Sequence, residues 1–171
     1  MKKILVVLVL GVMMLNANAQ TNVIKFNPLG LAFGYVNLSY EKTLSTKAAL
    51  QINASLTSLD LLGTKYSGIG IGVDYRLYLS PTKEAPRGMY FAPGLSFSSL
   101  TVENGSDKGT GSVFALKGVL GHQWVWKSGF SLDLYGGVSY YLNGDISLNG
   151  TSYGKFNGLM PALGVCVGYG W

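Results

Sequence analysis

Charged side chains are scarce in this chain, so each one can be weighed as a candidate for chemistry. Of 171 residues only 12% are Asp, Glu, Lys or Arg, about half the share found in an ordinary soluble domain. Six of them stand among apolar or small neighbours: Lys25, Glu41, Asp74, Arg76, Lys117 and Asp133. Three bases and three acids in such surroundings have two uses. Paired and hydrogen-bonded they make a fixed polar core, whereas mobile and unpaired they gate a pore or pass protons. Acid–base or nucleophilic catalysis would have to use His122, the only histidine, and the following serine, Ser128, is six positions away. Cys166 is the only cysteine, which excludes an intramolecular disulfide and reads as a small apolar strand residue. One His and one Cys lack metal-ligand spacing, and Gly68-x-Gly70-x-Gly72 is followed by strand pattern rather than the helix a dinucleotide loop requires. The expectation is therefore no metal, no cofactor and no catalytic residue.

The elements that must position these charges begin after a leader. Lys2 and Lys3 precede an apolar run from Ile4 to Leu15, and Ala17-Asn18-Ala19 forms an A-x-A site. This is the pattern of a cleaved signal peptide over residues 1–19. Twelve apolar residues fall short of the roughly 18–20 that span a bilayer as a helix. A lipoprotein would carry Cys where Gln20 stands. The remaining 152 residues hold 11 basic and 8 acidic side chains with no basic cluster, so no nucleic-acid partner is expected.

Residues 20–171 alternate with a period of two, the signature of half-buried strands. In 130–142 the even positions Phe130, Leu132, Leu134, Gly136, Val138, Tyr140 and Leu142 oppose Ser131, Asp133, Tyr135, Gly137, Ser139 and Tyr141. The same split places Ile69, Ile71, Val73, Tyr75 and Leu77 against Gly70, Gly72, Asp74 and Arg76. Turn signals separate the runs. They predict strands over 34–43, 47–58, 67–80, 88–101, 112–126, 129–142 and 158–171. An even strand number requires one more, supplied by 22–27, which turns at Pro28 to Gly30.

The polarity of these strands is inside out. A soluble ligand-binding barrel keeps apolar side chains inside, but here the charges lie opposite continuous apolar stripes. Basic residues facing lipid near the midplane would cost about 2–4 kcal/mol each, so the charges belong in the interior and the stripes in a bilayer. Short turns and longer loops alternate, as expected when the chain ends lie on the periplasmic side. This places external loops near 59–66, 102–111 and 143–157. Tyr40, Tyr90, Trp124, Trp126 and Phe130 fall at the periplasmic strand ends, where an interfacial aromatic belt is expected. The fold class implied is all-β, an eight-stranded antiparallel up-and-down transmembrane β-barrel.

The leader, the length, the eight alternating strands and the ending Val167-Gly168-Tyr169-Gly170-Trp171 resemble small outer-membrane barrels of the OmpX/OmpA type. More closely, Asn27-Pro28-Leu29-Gly30, Asn37-Leu38-Ser39-Tyr40-Glu41-Lys42 and Asp74-Tyr75-Arg76-Leu77-Tyr78-Leu79 are similar to outer-membrane barrel domains of unknown function common in Bacteroidota. The resemblance implies that Val165, Val167, Tyr169 and Trp171 form the signal for the barrel-assembly machinery, with Trp in place of the more usual terminal Phe. It also implies contact with outer-membrane lipid and lipopolysaccharide, and it brings no activity with it. Lipid A deacylases are barrels of similar size that use a His-x-Ser arrangement. This chain has His122-Gln123-Trp124, on the outward face near the periplasmic end. The expected role is non-enzymatic, through structure or surface contact, with a narrow solute channel as the alternative. The loops name no external ligand.

Overall fold

The computed structural model describes residues 20–61, 63–104, 107–148 and 151–171; the expected leader over 1–19 lies outside them. Eight strands run in chain order: β1 Asn22–Phe26, β2 Tyr35–Ser45, β3 Ala48–Leu61, β4 Thr64–Tyr78, β5 Gly88–Asn104, β6 Asp107–Val125, β7 Phe130–Leu148 and β8 Thr151–Gly170. Each pairs antiparallel with the next, and β1 pairs with β8 to close the barrel. The end where Trp171 O accepts from Thr21 N and Asn22 N is here called the lower end.

Alternation drives this architecture. Every strand turns one face inward, and closure leaves no edge where the ladder is continuous. Ile69, Ile71 and Leu163 are 65, 68 and 76% exposed on the outside, while Lys25, Glu41 and Asp133 are at most 1% exposed. Tight turns join the lower ends. Gly129, at φ +86°, closes the β6–β7 turn through Gly129 N to Trp126 O. The β4–β5 loop is longer and folds under the barrel, with Ala85 N donating to Thr46 O and the Lys47 ammonium capping the carbonyls of Ser80 and Lys83. Pro86, after a cis peptide bond, is fully buried there.

Two expectations are corrected. The segments 59–66, 102–111 and 143–157 are not simple loops, because strand pairing continues to Leu61–Thr64, Asn104–Asp107 and Leu148–Thr151. These extensions pair polar residues such as Asp60 with Lys65 and Glu103 with Lys108, and the Asn-Gly pairs at 104, 143 and 149 give their sequence the look of loops. A hydrogen bond from Lys108, Nζ to Oε1 2.7 Å, holds the Glu103 carboxyl below its usual range. The second correction lies at Pro28 to Gly30. The sequence there is not a bare turn but part of a short helix, α1, Pro28–Ala32. Asn27 caps it by accepting from Gly30 N, Pro28 supplies a preset φ, and Gly34 at φ +66° ends the excursion.

Small residues inside the barrel make room for large ones. A Cβ at Gly121 would run into the Tyr90 ring, and one at Gly164 into Tyr135. Gly118, on the opposite face of the same strand as Gly121, would meet only the edge of Phe91 at 3.9 Å. We expect Gly121→Ala to lower stability by about 1–3 kcal/mol, the usual result of overpacking, and Gly118→Ala to leave it unchanged. The urea midpoint of the refolded protein reads both.

Candidate functional site

Inward parity brings one charged residue from each of four strands to a common level in the lower barrel: Lys25 from β1, Glu41 from β2, Arg76 from β4 and Asp133 from β7. The Lys25 ammonium donates to Glu41 Oε2 at 2.7 Å, Gln123 Oε1 at 2.6 Å and Asp133 Oδ2 at 3.0 Å, which engages all three of its protons. Arg76 reaches Asp133 Oδ2 at 2.8 Å through Nη2, and Glu41 Oε2 at 3.4 Å through Nη1. The second oxygen of each carboxylate is also used. Tyr78 donates to Glu41 Oε1 at 2.5 Å, and Tyr90 donates to Asp133 Oδ1 at 2.7 Å. The guanidinium lies 4.2 Å over the Tyr90 ring. Gln123 bridges downward, its Nε2 donating to Pro86 O at 2.8 Å.

Six strands thus contribute to the core, and the other two yield space. Ala49 of β3 is fully buried beside Tyr78 and Tyr90, and a side chain at Gly168 of β8 would strike Lys25. Two positive and two negative charges cancel in a dry interior, where each would be expensive alone. Packing and hydrogen bonding hold them in a buried polar core in which every charge is paired.

Asp74 and Lys117 form a separate group higher up. The Lys117 ammonium sits 2.8 Å from Asp74, whose Oδ2 also accepts from Asn53 at 2.9 Å and Gln51 at 3.2 Å. Ser39 extends the chain to Asn53 at 2.9 Å. These residues floor a half-open cavity of about 1020 Å³. The six sequence-derived charges therefore divide into a sealed quartet and a partly exposed pair.

The expected aromatic belt needs one correction. Tyr40, Trp124, Trp126 and Phe130 face outward at the lower end, with Tyr40 6.4 Å from Trp171 and Trp126 5.3 Å from Phe130 between ring centres. Tyr90 does not join them. It is wholly buried and belongs to the charge core, because β5 exposes Met89 and Phe91 and turns Tyr90 and Ala92 inward. Four apolar residues in a row offer no alternation by which to choose the face. Val165, Val167 and Tyr169 follow the outward parity of β8, and Cys166 is buried inside. His122 stacks on Trp124 at 4.2 Å on the outer surface. Sequence reasoning missed Gln123, Pro86, Gln51 and Asn53 as members of the two networks. Inward parity was the available signal for all but Pro86.

Residues 4–147 match the family described as protein of unknown function, DUF3575. The chain belongs to the DUF3575 family. The matched segment contains all six interior charges of this family member and ends within β7, so β8 lies beyond it. No curated protein and no solved structure matches the chain.

Lys25→Met leaves two buried carboxylates to one guanidinium and should lower stability by about 3–5 kcal/mol. Adding Glu41→Gln restores neutrality, and the double variant should recover part of that loss. Urea titrations of the four proteins in a mutant cycle measure the coupling.

Proposed function

We propose that the chain is an integral outer-membrane β-barrel, sealed at its lower end, that serves the cell envelope without catalysis through its structure and its upper surface. The observation that carries this reading is the inverted polarity. Large apolar side chains line the outside from Leu159 to Tyr169 on β8 and from Phe130 to Tyr140 on β7, while Lys25, Glu41, Asp74, Arg76, Lys117 and Asp133 point inward. A bilayer satisfies such a surface, and a closed ladder satisfies the backbone within it. The aromatic residues at the lower rim suit a headgroup layer. Strands of 19 and 20 residues, at about 3.3 Å per residue and a tilt near 40°, outrun the hydrocarbon core and carry polar hairpins beyond it.

In this reading lipid and lipopolysaccharide cover the apolar band, the barrel-assembly machinery reads Val165, Val167, Tyr169 and Trp171, and the upper hairpins carry surface contacts. The likeness to OmpX/OmpA-type barrels agrees with it. The quartet, Tyr78, Tyr90 and Pro86 together argue against the alternative of a solute channel, since eight strands enclose little more than their own side chains.

Electrophoresis of isolated outer membranes, with and without boiling, tests the location. A heat-dependent band shift is expected; recovery in the soluble periplasmic fraction would reject the membrane reading. Planar bilayers test the seal. Wild type and Arg76→Ala should both give no single-channel steps. Steps in the wild type would favour the channel, and steps confined to Arg76→Ala would make the quartet a gate.

A further inference from the structure

The barrel wall is incomplete on one side. β1 pairs with β8 only from Val23–Gly170 to Phe26–Val167, whereas β8 continues upward along β7 to Thr151. Trp171 N donates to Asn22 O, and Gly170 N donates to Gly129 O. Odd residues of β8 therefore aim their backbone groups at β1, and even residues aim theirs at β7. Above Val167 the groups of Val165, Leu163, Pro161 and Leu159 face no strand, and among the described residues no backbone hydrogen bond continues the β1–β8 ladder. Pro161 stands at the centre of this bare edge, where its missing N–H removes one donor that would lack a partner.

The bare edge lies within the apolar band, since Leu159 and Leu163 are among the most exposed side chains. Across from it stands α1, packed near β8, with Leu29, Leu31 and the following Phe33 exposed. A five-residue apolar helix thus occupies the place of the missing strand. Behind it is the 1020 Å³ cavity, which Leu29, Phe33 and Leu163 line on this side and Gln51, Asn53, Asp74 and Lys117 line at the floor. Lys117 and Asp74 neutralise each other. Above this floor Ser55 and Ser98 line the cavity with uncharged hydroxyls. The floor therefore offers hydrogen bonds without net charge, and the side opening offers apolar surface.

We infer that this cavity binds an amphiphile with an aliphatic chain and an uncharged polar head, of the glyceride or alkyl glycoside class, admitted from the bilayer between α1 and β8. The inference rests on the membrane reading above. The head group exchanges hydrogen bonds with Ser55 and Ser98, and the chain lies along Leu29, Phe33 and Leu163.

The test uses the protein carrying Phe33→Trp, refolded into phosphatidylcholine vesicles, with bromine-labelled acyl chains as fluorescence quenchers. Brominated phosphatidylcholine should quench the native Trp124, Trp126 and Trp171; failure here would reject the membrane reading itself. Brominated monoglyceride should quench the indole introduced by Phe33→Trp more strongly than brominated fatty acid or lysophosphatidylcholine does. Ser98→Ala should weaken the monoglyceride effect by about fivefold, the equivalent of one hydrogen bond. Ser96→Phe, which fills the cavity, should abolish it if Ser98→Ala does not fold. Equal quenching of the introduced indole by all three probes, with the native tryptophans quenched by the lipid, would overturn the inference alone.

Discussion

The contact on which the barrel depends is the one between the Lys25 ammonium and its three acceptors on β2, β6 and β7. β1 is only five residues long and shares four ladder positions with β8, a thin seam for closing a cylinder. Its inward lysine compensates by crossing the lumen. The ammonium ties the seam to β2 on one side and, beyond β8, to β7 and β6 on the other, in an interior where a low dielectric strengthens each bond and makes any vacancy expensive. Arg76 does the same from β4. Closure is therefore held both around the circumference and through the centre.

Much of this was legible from alternation alone. Period-two patterning gives seven strands, the even strand number of a barrel supplies the eighth, and the same alternation puts all six charges inside, because a one-residue change in register would exchange the two faces of a strand. The alternation failed where both faces are apolar, as at Met89 to Ala92, which sent Tyr90 to the wrong side. It was overridden in the upper hairpins, where Asn-Gly pairs and Ser read as loop although the strands continue. The grouping of the charges was not legible either. Which of six inward residues meet depends on stagger between strands, and Asp74 lies only two residues from Arg76 yet joins a different network. Pro86 reaches the core from a loop whose path no periodicity describes. Pro161 was visible as a proline within a strand pattern, but its meaning required knowing which neighbour was missing.

The interior has two unlike halves as a result. Below, long side chains and a tucked-in loop fill the lumen to contact. Above, short side chains such as Ser55, Gly70 and Ser98 leave it open. A uniform barrel of this strand number would be filled throughout; here the filling is concentrated where the seam is weakest, and the free volume lies where α1 stands in for a strand.

The quartet also ties the charge balance of the interior to strand register. Without β1 the remaining three charges sum to one negative, and without β7 they sum to one positive, so a partial barrel is electrically unbalanced at its centre. Slipping β1 by a single residue would turn Lys25 toward the outside and leave the surplus behind. With all four strands in place the charges balance, and losing or slipping any one of them leaves a single unpaired charge in the lumen.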